Sequence, residues 1–156
     1  ATEVLKEFID SKSIEKIFKT LPSVKRRFEY VFTSNSLDII DDFAHHPTAI
    51  SKTLKLAQQR YQDLVLVLEI GSNSMKSGIH DVKLLEIFKD TKTFLVNASK
   101  EQISKFNKTA EKATLAKLIK ICGKKTKKKR AVLFCGNKNF NRLKENLINH
   151  LISDST

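Results

Sequence analysis

"LVLVLE", residues 64–69, runs five apolar residues together and ends on an acid. A strand with one wet face alternates apolar and polar side chains. A strand that never alternates is covered on both faces, as strands of a parallel sheet are. "TFLV" (93–96) and "AVLFC" (131–135) read the same way. Helical patterns lie between these strands. Ile50, Leu54, Ala57 and Tyr61 form a stripe in "PTAISKTLKLAQQRY", and Pro47 suits a first helical turn, where its missing N–H costs nothing. Residues 79–89 (Ile79, Val82, Leu85, Ile87, Phe88) predict a second helix. Leu115, Leu118, Ile119 and Cys122 predict a third, and Phe140, Leu143, Leu147 and Leu151 a last one. "RFEYVFT" and "LDIID" read as two strands with Asn35 at a hairpin tip.

Strands alternating with helices predict an α/β domain. Its Rossmann-like, mostly parallel sheet is flanked by helices and carries a short β-hairpin. Before it, Val4, Leu5, Phe8 and Ile9, then Ile14, Ile17, Phe18 and Leu21, suggest an N-terminal helical segment ending at Pro22. The expected division is therefore 1–22, a helical tail or linker, and 23–156, the domain.

A chain of 156 residues with 40% apolar content suits one domain with a real core. No apolar run approaches the ~20 residues of a membrane helix. "ATEVLKEFID" is amphipathic with early acids, unlike a signal peptide, so no membrane partner and a cytoplasmic location are expected. Residue 1 is Ala, as in a piece cut from a longer parent. Cys122 and Cys135 sit in apolar company without CxxC spacing and read as reduced core residues.

The formal charge is +12, unevenly spread. From Lys100 to Arg130 twelve Lys or Arg face only Glu101 and Glu111, a local net +10. Such a run can bind nucleic acid through counterion release. Here no aromatic residue is interleaved for stacking, so a solvated turn is the preferred reading of "GKKTKKKR" (123–130), and nucleic acid is not the expected partner.

Ligands of such folds gather at the carboxyl ends of the strands. The loops there are "DDFAHH", "EIGSNSMK", "NASKEQ" and "CGNKN", all polar. His45 and His46 are adjacent and lack the spacing of a zinc set, so no metal site is expected. Lining of a ligand pocket is preferred over proton transfer, because a helix starting at Pro47 would offer free N–H groups to a phosphate. "VKRRFE" (24–29) reads equally as a charged hinge or a phosphate grip. No GxxxxGK[ST] and no GxGxxG occurs, so ATP phosphates would have to be held elsewhere.

"VKRRFE", "DDFAHHPTAI" and "LEIGSNSMKSGIH", in this order and over residues 22–150, resemble the C-terminal domain of the Mur ligases. The likeness is strongest to the murein-recycling branch, with its patterns D-D-F-A-H-H-P-T-A-I and L-E-P-R-S-N-T-M-K-x-G-I-H. That resemblance implies an ATP- and Mg-dependent ligase. It joins the tripeptide L-alanyl-γ-D-glutamyl-meso-diaminopimelate to UDP-N-acetylmuramate through an acyl phosphate. The P-loop and most contacts to ATP and Mg would lie in a central domain, so no catalytic residue is expected here and the isolated chain should be inactive.

By motif position the resemblance assigns Arg27, Asp42 and His45 to ATP, and His46, Ser72, Asn73, Ser74, Lys76, Asn137 and Phe140 to substrate. Two departures stand out. The Pro-Arg of the pattern is Ile70-Gly71, and a late S-N-G-G-F-G-G loop reads "GNKNFNR". Lys76, Lys138 or Arg142 would compensate for the missing arginine. Three alternatives remain: the related UDP-N-acetylmuramate–L-alanine ligase, a basic nucleic-acid-binding module, and a degenerate ligase kept for another role.

Overall fold

The computed structural model describes residues 25–154. The helical segment expected within 1–22 lies outside them. Six strands form one sheet in the order β1-β2-β6-β3-β4-β5. They are β1 (Glu29–Thr33), β2 (Leu37–Asp42), β3 (Asp63–Glu69), β4 (Lys92–Val96), β5 (Ala110–Lys112) and β6 (Arg130–Cys135). The hairpin β1–β2 is antiparallel, and every other pairing is parallel. The helices are α1 (Pro47–Gln58), α2 (Asn73–Lys76), α3 (Asp81–Phe88), α4 (Lys100–Phe106), α5 (Leu115–Cys122) and α6 (Leu143–Ser153).

The central strands are non-alternating because each packs on both faces. Leu66 and Leu68 of β3 join a core with Ile50, Leu54 and Leu84, whereas Val65 and Val67 join another with Leu118, Phe134 and Leu147. Pro47 occupies the first turn of α1, and Ile50, Leu54 and Ala57 are its buried face. Both cysteines are free, Cys135 buried and Cys122 half-buried.

The α3 stripe differs from its expectation. Ile79 and Val82 are 75% and 70% exposed, and the buried face is Asp81, Leu84 and Phe88. Asp81 turns inward because Lys105 Nζ donates to it at 2.8 Å, beside the Gln102 amide. The segment read as loop, "GSNSMKSGIH", contains the single turn α2, which Ser72 caps by accepting from the Met75 N–H. Two elements had no clear pattern, α4 and β5. The first is set by a Ser99–Gln102 capping box and the second is only three residues long.

Register aligns the carboxyl ends. Asp42 pairs with Cys135, Leu68 with Cys135, and Glu69 with Val96. The loops that follow β2, β6, β3 and β4 therefore leave one end of the sheet together. The lysine run lies at the opposite end, where Lys129 pairs with Asp38 at 2.7 Å and Arg130 with Asp63 at 2.7 Å. Those pairs tie the last two residues of the run to β2 and β3.

Candidate functional site: a cationic cavity at the carboxyl ends of the strands

Glu69 ends β3 and is fully buried. Three donors converge on its carboxylate: the Lys138 N–H at 2.9 Å, the Phe140 N–H at 3.1 Å and the Asn97 side-chain amide at 3.0 Å. A buried carboxylate needs such partners, and here they come from the loops after β4 and β6. Glu69 thus ties three loops into one floor. Gly136 passes so close that an added Cβ would lie 2.7 Å from Glu69 Cβ.

The backbone above this floor is strained. Phe140, Asn141 and Arg142 take φ of 52°, 53° and 61°, and Asn97 takes 61°. Left-handed conformations cost non-glycine residues free energy and cluster at functional sites. Asn141 holds the turn to the neighbouring loop, donating its amide to Asn97 Oδ1 at 2.6 Å.

These loops enclose a cavity of about 720 Å³, within the size of small-molecule sites. Ile70, Gly71 and Phe140 contribute to its floor, and Lys76, Asn97, Lys112, Lys138, Asn139 and Asn141 are its polar groups. A second cleft of about 480 Å³, lined by Arg26, Lys138, Asn139, Lys144 and Glu145, adjoins it at Lys138. There Asp41 is nearly fully buried and accepts from Arg26 Nε at 3.1 Å and Lys144 Nζ at 2.5 Å.

A family profile described as Mur ligase, glutamate ligase domain, matches residues 26–138, most of the chain. The chain belongs to the Mur ligase family. A Haemophilus influenzae UDP-N-acetylmuramate–L-alanyl-γ-D-glutamyl-meso-2,6-diaminoheptandioate ligase is 42% identical over 74 residues, 44% of this chain and 16% of that protein. A Campylobacter jejuni UDP-N-acetylmuramate–L-alanine ligase is 38% identical over 52 residues, 33% of this chain and 12% of that protein. This chain therefore spans a small part of the curated relatives it matches. Among solved structures, a murein peptide ligase from Psychrobacter arcticus has a TM-score of 0.66 at 25% identity, over 94% of this chain and 34% of that one. A MurF from Acinetobacter baumannii, at TM-score 0.70 and 17% identity over 94% of this chain and 35% of that one, shows the shared fold alone.

Within this Mur ligase domain the residues singled out by sequence fall into separate groups. Arg27 and His45 meet around one ring: the Arg27 guanidinium lies 5.5 Å and the His45 ring 5.2 Å from the Phe43 centroid. Asp42 is buried behind them and already accepts from the Phe28 N–H, the Ala44 N–H and the Thr53 hydroxyl. Of the "VKRRFE" bases, Arg26 is structural, bonded to Asp41 and to the Gly136 carbonyl. His46 packs on His80 with centroids 4.5 Å apart.

Lys76 lines the large cavity, whereas Ser72, Asn73 and Ser74 form the turn leading to it. Phe140 contributes its backbone N–H to Glu69 while its ring is fully buried against Phe134. Asn137 packs under Gly71, whose added Cβ would lie 2.4 Å from its Oδ1. Glu69, Asn97, Lys112 and Asn141 were not singled out by sequence. An acid ending an otherwise apolar strand was the available signal for Glu69; Lys112, on the short edge strand, had none.

Proposed function

We propose that this chain is the C-terminal domain of an ATP-dependent ligase of murein recycling, which adds the tripeptide L-alanyl-γ-D-glutamyl-meso-diaminopimelate to UDP-N-acetylmuramate. The observation that carries the reading is the cavity. Its volume of about 720 Å³ is ample for a peptide and excessive for alanine alone, and its three lysines suit a ligand rich in carboxylates. The motif likeness and the 42% identity to the Haemophilus influenzae ligase support the same choice. The alternative, an alanine-adding ligase, draws on the Campylobacter jejuni likeness.

In this reading residues 1–22 lead from a central domain, and residues 23–156 close over the site to present the peptide amine. The amine attacks an acyl phosphate formed from the sugar-nucleotide carboxylate and ATP, and phosphate leaves. The Arg27–Phe43–His45 cluster faces the nucleotide. Asp42 supports the ribose side, sharing its oxygens with the backbone donors it already serves. In this reading ATP and Mg are held mainly by the central domain. No helix among the described residues is long and apolar enough to cross a membrane.

The test is phosphate release from ATP by the full-length ligase with UDP-N-acetylmuramate present. Release that depends on the tripeptide is expected. Release that depends on L-alanine instead overturns the recycling assignment, and release with neither overturns the ligase reading itself.

A further inference from the structure

We infer that Lys112 and Lys138 are specificity-determining residues that, with Lys76, select an incoming peptide bearing at least two carboxylates. The inference rests on the peptide-ligase reading above. Three lysines line the cavity from three separate places: Lys76 beyond β3, Lys112 at the end of β5, and Lys138 beyond β6. All three side chains are exposed to solvent at the wall. None of them makes an ion pair within the described residues. The single acid in the wall, Glu69, is buried and its oxygens are occupied by N–H donors. The remaining polar lining is asparagine amide. The wall therefore carries three exposed ammonium side chains against one buried carboxylate, a net positive charge that favours an anionic ligand.

Position 71 leaves little room for a side chain. A Cβ at Gly71 would stand 2.4 Å from Asn137 Oδ1 and 3.4 Å from Lys138 Cγ. A side chain there would collide with the Asn137 amide and touch the stem of Lys138 at ordinary contact distance. Lys138 is in turn held at a fixed point, because its N–H donates to Glu69. Arg142 is not part of this wall. A peptide with two carboxylates can meet two of these ammonium groups at once, whereas a monocarboxylate meets one.

The test compares the tripeptide with the same peptide amidated on its diaminopimelate carboxyls, using wild type, Lys112→Met and Lys138→Met. Methionine keeps the apolar stem and removes the charge. In the full-length ligase, amidation should raise the peptide KM roughly tenfold in wild type, the scale of one charge-assisted contact. It should matter much less in each variant. Equal discrimination in all three proteins overturns the inference and leaves the ligase reading standing. The same peptides, and L-alanine, are also titrated into the 156-residue chain and followed by NMR. Lysine-dependent preference for the free carboxyls upholds the inference, whereas turnover of L-alanine alone by the full-length enzyme overturns the peptide-ligase reading and the inference with it. Binding without that preference, or no peptide binding, overturns the inference.

Discussion

Glu69 and Gly71 stand two residues apart and constrain the cavity in different ways. Glu69 is an acceptor for three donors, so Glu69→Gln puts an amide N–H among N–H groups. We expect a loss of about 2–3 kcal/mol, the scale of hydrogen bonds to a charged group. Faster hydrogen exchange at the Lys138 and Phe140 amides would accompany it, and unchanged exchange would show that Glu69 does not anchor the loop. Gly71 acts through volume. Gly71→Ala should cost about 1–3 kcal/mol as overpacking, because the new methyl meets Asn137 Oδ1. Adding Asn137→Ala should return part of that loss in a double-mutant cycle read by thermal unfolding. Strictly additive effects would mean the two positions do not press on one another.

The turn before α6 and the anchoring of α6 itself are governed by backbone and charge. Arg142 precedes α6 with φ of 61°, a conformation glycine adopts freely. Arg142→Gly should stabilise the chain by about 0.5–1 kcal/mol, less than the full left-handed penalty because glycine also loosens the unfolded chain. A lower Tm would show that the arginine side chain contributes more than its backbone strain costs. At the other side of the turn, Lys144 anchors α6 to β2 through Asp41, which also holds Arg26. Asp41→Ala removes the anion between two cations and should cost about 3–5 kcal/mol, as when one partner of a buried pair is deleted. Urea unfolding measures it, and a loss under 1 kcal/mol would mean that water replaces the carboxylate readily.

Over the whole molecule, the buried Cys135 thiol, raised well above 9.0 by burial, and two further groups predict how stability responds to alkali. Burial and then the hydrogen bond to Asp38 raise the pKa of Tyr61 above its ordinary value near 10. Burial pushes the Cys122 thiol from 9.0 up to about 11, against a small opposing effect of Arg130. All three groups are held neutral by folding, so each contribution is intact below the unfolded pKa and is lost as pH rises towards the folded one. Stability should therefore fall from pH 9 upward, through about 11 for Cys122 and further for Tyr61. Denaturant midpoints between pH 7 and 11 give the curve, and Cys122→Ala should make its first part shallower. A midpoint that stays level to pH 11 would contradict the assignment.

Most of this architecture was legible in local pattern. Non-alternating runs announced the strands at 64–69, 93–96 and 131–135, and Pro47 with its stripe announced α1. Motifs in order pointed to the Mur ligases before any geometry was available. Short elements were less legible: β5 is three residues without an apolar run, and the face of α3 turns on the tertiary partners of Asp81. The residues around the cavity divide along the same line. The polar loops at the strand ends could be named from sequence, and Lys76 with them. That Glu69 gathers Asn97, Lys138 and Phe140, and that Lys138 occupies the space beside Gly71, follows from the insertion of β6 between β2 and β3. Sequence by itself determined the periodicities and motifs, because those depend on neighbours within a few residues. The tertiary structure alone decided which charges meet, because strand order brings together loops nearly seventy residues apart and only contact reveals which side chains share the space.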